Sequence, residues 1–125
     1  MKRIGLIFLL VLCLFSVALA IVPSTASQND YWGALAYSNA TGRYGFAYDY
    51  STQAQAINVA VEKCRASDCR GVVWFHNGCG AFARGNRAWG WAIGDSRAEA
   101  EERALAECRK HGGNCRGIAW ACTTR

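Results

Sequence analysis

The stretch GALAYSNATGRYGFAYDYSTQAQA, residues 33–56, is echoed by GAFARGNRAWGWAIGDSRAEA, residues 80–100. Both copies then run through an alanine-rich segment to Cys64 or Cys108, and on into Cys69-Arg70-Gly71 or Cys115-Arg116-Gly117. They differ by short insertions and deletions that fall in turns. An internal period of this kind marks one supersecondary unit used twice, here over about residues 32–78 and 79–125.

Each copy reads as the same four elements. A strand with small residues (Ala34 and Ala36; Ala81 and Ala83) leads through a turn into an alternating strand, Gly45-Phe46-Ala47-Tyr48 or Gly90-Trp91-Ala92-Ile93, with the period of two expected of a sheet with unlike faces. Thr52 and Asp95-Ser96 supply helix N-caps, and Glu99, three residues after Ser96, completes a capping box. Ala54, Ala56 and Ala60, or Ala98, Ala100, Ala104 and Ala106, favour helix and leave room for a partner's bulk. Lys63 and Arg65, or Arg109, Lys110 and His111, carry the sign that suits a helix C-terminus. A last strand follows, Val72-Val73-Trp74-Phe75 or Ile118-Ala119-Trp120-Ala121.

With the third strand beside the first, this tandem ββαβ order predicts an α+β domain: an antiparallel sheet of about six strands with two helices on one face. Alanine-faced helices pack best against large side chains, which assigns Phe46, Tyr48, Trp74, Phe82, Trp91 and Trp120 to the core, each worth ~1.5–3 kcal/mol on burial.

The chain opens with Met1-Lys2-Arg3 and an uncharged run over residues 4–22, the basic and apolar regions of an export signal. Cleavage fits after Ala20 or after Ala26, which makes residues 1–26 a signal peptide and residues 27–125 a single domain. An uncleaved anchor is the alternative, since the run approaches the ~20 residues that span a bilayer. Cys13 follows Leu12, where lipoprotein processing wants a small residue, so no lipid anchor is expected. The protein is expected to be secreted or periplasmic.

About 100 residues bury only a little over ~60% of their unfolded surface, and such a core needs help. Cys64, Cys69, Cys79, Cys108, Cys115 and Cys122 make an even count in an exported chain, which reads as three disulfides. Equivalent positions in two copies should make equivalent bonds, which pairs Cys64 with Cys69 and Cys108 with Cys115. Cys79 and Cys122 pair by elimination and close a loop of about 44 residues, worth roughly 4 kcal/mol on the chain-entropy model against ~2 for each short loop.

The passages WGALAYS, GRYGFAYDY, CRASDCRGVVWFHNGCGAFA, WGWAIGDSRAEAEERALAECR and CRGIAWAC together resemble the bacterial exported domain of unknown function 4189, over nearly all of the chain beyond the signal. The resemblance implies a secreted or periplasmic, disulfide-containing domain. It supplies no activity and no catalytic residue.

The residues themselves exclude several chemistries. From Ile21 onward 12 basic and 9 acidic side chains leave a net charge of +3, well short of a polybasic nucleic-acid binder, so no nucleic-acid partner is expected. Structural zinc wants paired Cys-x2-4-Cys knuckles and a reducing compartment, and the even count of six cysteines beyond the signal leaves no thiol for nucleophilic catalysis, so no metal or cofactor is expected. Glu99, Glu101, Glu102 and Glu107 belong to one helix and read as its solvated face rather than a glycosidase pair. Ser51, Thr52 and Ser96 read as caps, and the glycines lack the strand-to-helix spacing of a phosphate loop. Asn39-Ala40-Thr41 has the form of a glycosylation sequon but reads as a turn.

A binding function has more to stand on. Thirteen aromatic residues follow Ile21, more than one sheet face buries. Arg43 and Tyr44 at one hairpin, with Arg84, Arg87 and Trp89 at its counterpart, are residue types enriched at interfaces, and aromatics also stack on sugar rings. His76 belongs to one copy only, Cys122 standing at its equivalent. The leading expectation is a monomeric, non-enzymatic module that engages a protein or a cell-envelope glycan through Arg43, Tyr44, His76, Arg84, Arg87 and Trp89, touching a membrane only through its N-terminal segment. The alternatives are an inhibitor or immunity protein for a secreted hydrolase, and a small hydrolase with His76 as base.

Overall fold

A computed structural model of the protein describes residues 30–125; the proposed signal segment and its cleavage sites lie outside them. The first copy folds as β1 (Trp32–Tyr37), β2 (Tyr44–Tyr50), α1 (Gln53–Cys64) and β3 (Arg70–His76), the second as β4 (Cys79–Asn86), β5 (Ala88–Gly94), α2 (Arg97–Arg109) and β6 (Gly113–Cys122). The caps are those the sequence predicts. Thr52 accepts from the Gln55 amide and Ser96 from the Glu99 amide, while Glu99 reaches back to the Asp95 N–H.

The fold is α+β with six antiparallel strands, divided into two sheets of order β2-β1-β3 and β5-β4-β6. In each, the first strand of the copy is central and the last lies beside it, as expected. The division places the helices differently from a single six-stranded sheet, because each sheet carries its own helix. Ala56 and Ala60 of α1 pack on Ala34, Ala36 and Ala47, and Ala100 and Ala104 of α2 pack on Ala81, Ala83 and Ala92. The faces turned away from the helices meet each other through Leu35, Tyr37, Val73, Phe75, Phe82 and Ala121. The result is a helix–sheet–sheet–helix sandwich with an approximate internal twofold.

The six aromatics assigned to the core are corrected here. Phe82 is buried, but Phe46, Tyr48, Trp74, Trp91 and Trp120 are all exposed. The helices rest too near their sheets to admit a ring. A Cβ on Gly45 would lie 2.2 Å from the Ala60 carbonyl oxygen, and one on Gly90 would lie 2.3 Å from that of Ala104. Glycine and alanine therefore take the helix side of β2 and β5, and strand alternation sends Phe46, Tyr48 and Trp91 to the other. Trp74 and Trp120 stand in register with helix-facing Ala34 and Ala81, but out on edge strands.

The three disulfides are Cys64–Cys69, Cys108–Cys115 and Cys79–Cys122, the pairing derived from the repeat. The first two tie each helix end to the strand that follows. The third joins directly opposed residues of β4 and β6. Such covalent chemistry belongs to a non-cytoplasmic compartment, and among the described residues no helix is long and apolar enough to cross a membrane.

The close contacts make a direct stability test. Gly45→Ala and Gly90→Ala should each lower the unfolding free energy by about 1–3 kcal/mol through overpacking. Gly117→Ala, where the added methyl meets open space, should stay within about 0.5 kcal/mol of the parent. Urea unfolding of the three variants checks this, and equal losses in all three would contradict the helix–sheet contact as their cause.

Candidate functional site

Each outer strand β2 and β5 overhangs the edge of the opposite sheet, and the overhang leaves two grooves related by the internal twofold. One, of about 500 Å³, lies between β2 and β6 and is lined by Tyr44, Phe46, Tyr48, Ile118 and Trp120, with Thr123 and Thr124 at one end. The other, of about 420 Å³, lies between β5 and β3. The two share a plan and differ in chemistry.

The β3–β5 groove is built from alternation on one side and an edge on the other. Trp89 and Trp91 project from β5 opposite buried Ala88, Gly90 and Ala92; Trp74 comes from β3. These three indoles are 51%, 47% and 46% exposed, a large apolar area left in water. The floor is Phe82 and Tyr37, whose rings lie 4.9 Å apart. Arg70, Arg84 and Asn39 supply polar groups at its end. A depression of about 600 Å³ runs along the opposite flank of Trp89 and Trp91, towards Arg103, Glu107 and His111 of α2 and its C-terminal turn, so β5 presents its two indoles as a ridge.

The polar end is fixed by a turn. Ser38, fully buried, donates its hydroxyl to Asp68 at 2.5 Å and accepts from the Thr41 amide and hydroxyl, while Asp68 also accepts from the Ala40 amide. This network holds residues 38–42 so that the Asn39 side chain accepts from Arg84 Nη1 at 3.0 Å, and the Arg84 guanidinium lies 5.7 Å from the Tyr37 ring centre. Asn39, of the sequon-like triplet, sits in a turn as expected. The hydrogen bonds from the Ser38 hydroxyl and then the Ala40 amide hold the Asp68 carboxyl below the usual aspartate range.

The residues singled out in the sequence do not converge on one place. Arg84 and Trp89 share the β3–β5 groove, whereas Tyr44 lines its counterpart. Arg43 donates to the Arg65 carbonyl at the end of α1, and Arg87 occupies the β4–β5 hairpin with φ of 54°. His76 lies at the far end of β3, its ring 4.8 Å from Trp32 and its Nε2 2.5 Å from Asp30. That nitrogen also meets the Asn77 amide group at 3.3 Å, and among the described residues it contacts no serine, threonine or cysteine. Trp74, Trp91 and Arg70 complete the groove without having been candidates. Among the described residues no three His, Cys, Asp or Glu side chains converge as metal ligands would.

Comparison with known proteins matches this architecture. The profile of the family described as "Domain of unknown function (DUF4189)" covers residues 32–122. Protein Rv1269c of Mycobacterium tuberculosis is 39% identical over 97 residues, spanning 78% of this chain and 73% of its own length. The uncharacterized protein Rv1813c of the same organism is 37% identical over 92 residues, 74% of this chain and 60% of its own. The NMR structure of Rv1813c superposes with a TM-score of 0.54 at 32% identity, covering 74% of each chain. The chain belongs to the domain of unknown function 4189 family.

The depressed Asp68 carboxyl sets a pH dependence for the turn. A lowered folded-state value means that the contribution of Asp68 is complete above its unfolded value, about 3.9, and is lost as pH falls through the lower folded value. Carboxyl NMR titration should place the Asp68 midpoint below the ordinary aspartate value, and Asp68→Ala should raise amide exchange in residues 38–42 at neutral pH. A midpoint at or above the ordinary value would contradict the network.

Proposed function

We propose that this member of the domain of unknown function 4189 family is a small exported, non-enzymatic binding module whose ligand is a cell-envelope glycan, held in the groove between β3 and β5. The observation that carries the reading is the grouping of half-exposed Trp74, Trp89 and Trp91 around one open groove with Asn39 and Arg84 at its end. Pyranose rings present flat C–H faces that stack on indole, and their hydroxyls need donors and acceptors at the rim. Sites of this kind combine an apolar lining with a few placed polar groups. The fixed turn beneath Asn39 means that little ordering is required on binding.

Export, with residues 1–26 as a signal cleaved after Ala20 or Ala26, is part of the same reading, and the three disulfides support it. The non-enzymatic part draws on the surroundings of His76, whose ring hydrogen-bonds Asp30 and Asn77 and, among the described residues, no serine, threonine or cysteine that it could activate.

Retention on purified cell-wall polysaccharide tests the site. Trp89→Ala and Trp74→Ala should each weaken binding by roughly 1–2 kcal/mol, about five- to thirtyfold, as for an aromatic contact at the centre of an interface. Tyr44→Ala, in the other groove, should leave it unchanged. Undiminished retention of the Trp74→Ala/Trp89→Ala double variant would sink the groove as the site. Capture from envelope extract that survives glycan digestion and is lost on proteolysis would mark the partner as a protein.

A further inference from the structure

The glycan reading leaves open the chemistry of the sugar, and the charge distribution of the fold bears on it. The chain direction of every element brings four connections to one end of the sandwich: β1 to β2, α1 to β3, β4 to β5, and α2 to β6. The two copies share that end, since Arg84 of β4 reaches Asn39 after β1. At the opposite end Asn77 bonds Tyr31, Thr123 bonds Gly78 and Thr124 bonds Asp49. Nine of the twelve Arg and Lys from Asp30 onward lie in these four connections or close beside them. Only Glu62, Asp68 and Glu107, of nine acidic residues, share that end. Asp68 keeps its charge beneath the neutral donors Ser38 and Ala40, and Glu107 pairs with Lys110, so the cations still outnumber the carboxylates there. The domain is electrically polar, with its positive pole at the mouth of the tryptophan groove.

The arginines at that mouth have no ion-pair partner among the described residues. Arg84 is flanked in register by Trp89 on β5 and by Arg116 on β6, and Arg70 stands opposite Tyr37. Like charges directly opposed on neighbouring strands oppose pairing. Among the described residues, none of Arg70, Arg84, Arg87 and Arg116 has a carboxylate within ion-pair distance. A planar guanidinium matches a carboxylate or phosphate with two parallel donors. The groove thus ends in unpaired cationic forks beside stacking surfaces.

We infer that the ligand is an acidic glycan, one whose sugar rings stack on Trp74, Trp89 and Trp91 while its carboxylates or phosphodiesters are taken by Arg70, Arg84 and Arg116. This rests on the glycan reading and narrows it. The apolar β2–β6 groove shares the aromatic plan but has no charged side chain in its lining, which leaves one acidic-glycan site per chain.

The test uses the disulfide-bonded protein recovered after export of the full chain, titrated with four probes by tryptophan fluorescence and calorimetry. They are oligogalacturonate as carboxylate source, phosphomannan as phosphodiester source, dextran as neutral glycan and polyglutamate as an acidic chain without sugars. Oligogalacturonate, phosphomannan or both should bind at least about tenfold more tightly than dextran and weaken about tenfold between 50 and 500 mM salt. Whichever binds identifies the anionic group. Arg70→Gln/Arg116→Gln, two exposed side chains with no ion-pair partner among the described residues, should lose about tenfold towards that acidic glycan and nothing towards dextran. Arg84→Lys should recover less than the parent because it lacks the fork. Dextran bound as tightly as the acidic glycans would overturn this inference and leave the glycan reading standing. Polyglutamate bound as tightly as the glycans would overturn both, as would no binding to any sugar.

Discussion

The backbone of each helix rests almost directly on the backbone of its sheet, because Gly45 and Gly90 put no side chain between them. Contact at that distance leaves room only for methyl-sized groups, and Ala56, Ala60, Ala100 and Ala104 supply them from the helix side. An interface so thin buries little apolar area per residue. The larger burial has to come from elsewhere, and it comes from the second face of each sheet, where Leu35, Val73, Phe75 and Phe82 pack sheet on sheet. The sandwich follows from the shallowness of the helix contact. Phe75 shows the same logic within the inner layer: its ring occupies the space that a Cβ on either Gly33 or Gly80 would fill, one glycine from each central strand.

Much of this was legible from the repeat. Element order, the cap residues and the disulfide pairing all follow from reading the first copy, about residues 32–78, against the second, 79–125. The packing of the rings was not, and the reason lies in a pairing rule. An alanine-faced helix reads as needing bulk opposite, whereas the alternation Gly45-Phe46-Ala47-Tyr48 sets small residues on one face and rings on the other. Small against small is the alternative solution for an alanine-faced helix, and a glycine in the alternating strand of both copies is its signal. The split into two sheets has the same origin, since rings excluded from the helix side must face another layer or the solvent.

The candidate site was legible in part for a related reason. Arg84 and Trp89 stand out locally, in one hairpin, and the fold keeps them together. Trp74 comes from a strand of the other copy, and only the packing of one sheet on the other brings it to Trp89 and Trp91. Nothing local distinguishes Trp74 from Trp120, its counterpart across the twofold, yet Trp120, which lines the other groove, also lies beneath the Arg97 guanidinium at 4.0 Å, whereas Trp74 shares its groove with Trp89, Trp91 and Arg84. Tyr44 and Arg43 mirror Trp89 and its neighbouring arginine in the sequence, yet the fold turns Tyr44 to the opposite groove and Arg43 to the Arg65 carbonyl.

Divergence between the copies is concentrated at the two ends of the sandwich. At one end the directly opposed pair Cys79 and Cys122 of the second copy corresponds to Trp32 and His76 of the first, so that a covalent bond in one sheet is matched by a ring contact and the Asp30 hydrogen bond in the other. The opposite end of the second sheet carries Arg84, Trp89 and Arg116 in register. The first copy contributes to the same place a turn pinned by Ser38 and Asp68, where the second has Gly85, whose missing side chain lets the Gly113 carbonyl approach. Each copy thus carries a device the other lacks, and the groove between β3 and β5 is where the products of both meet. A duplicated fold with two equal grooves would offer two weakly specified sites; unequal decoration of the two ends yields one groove with both stacking surfaces and charge.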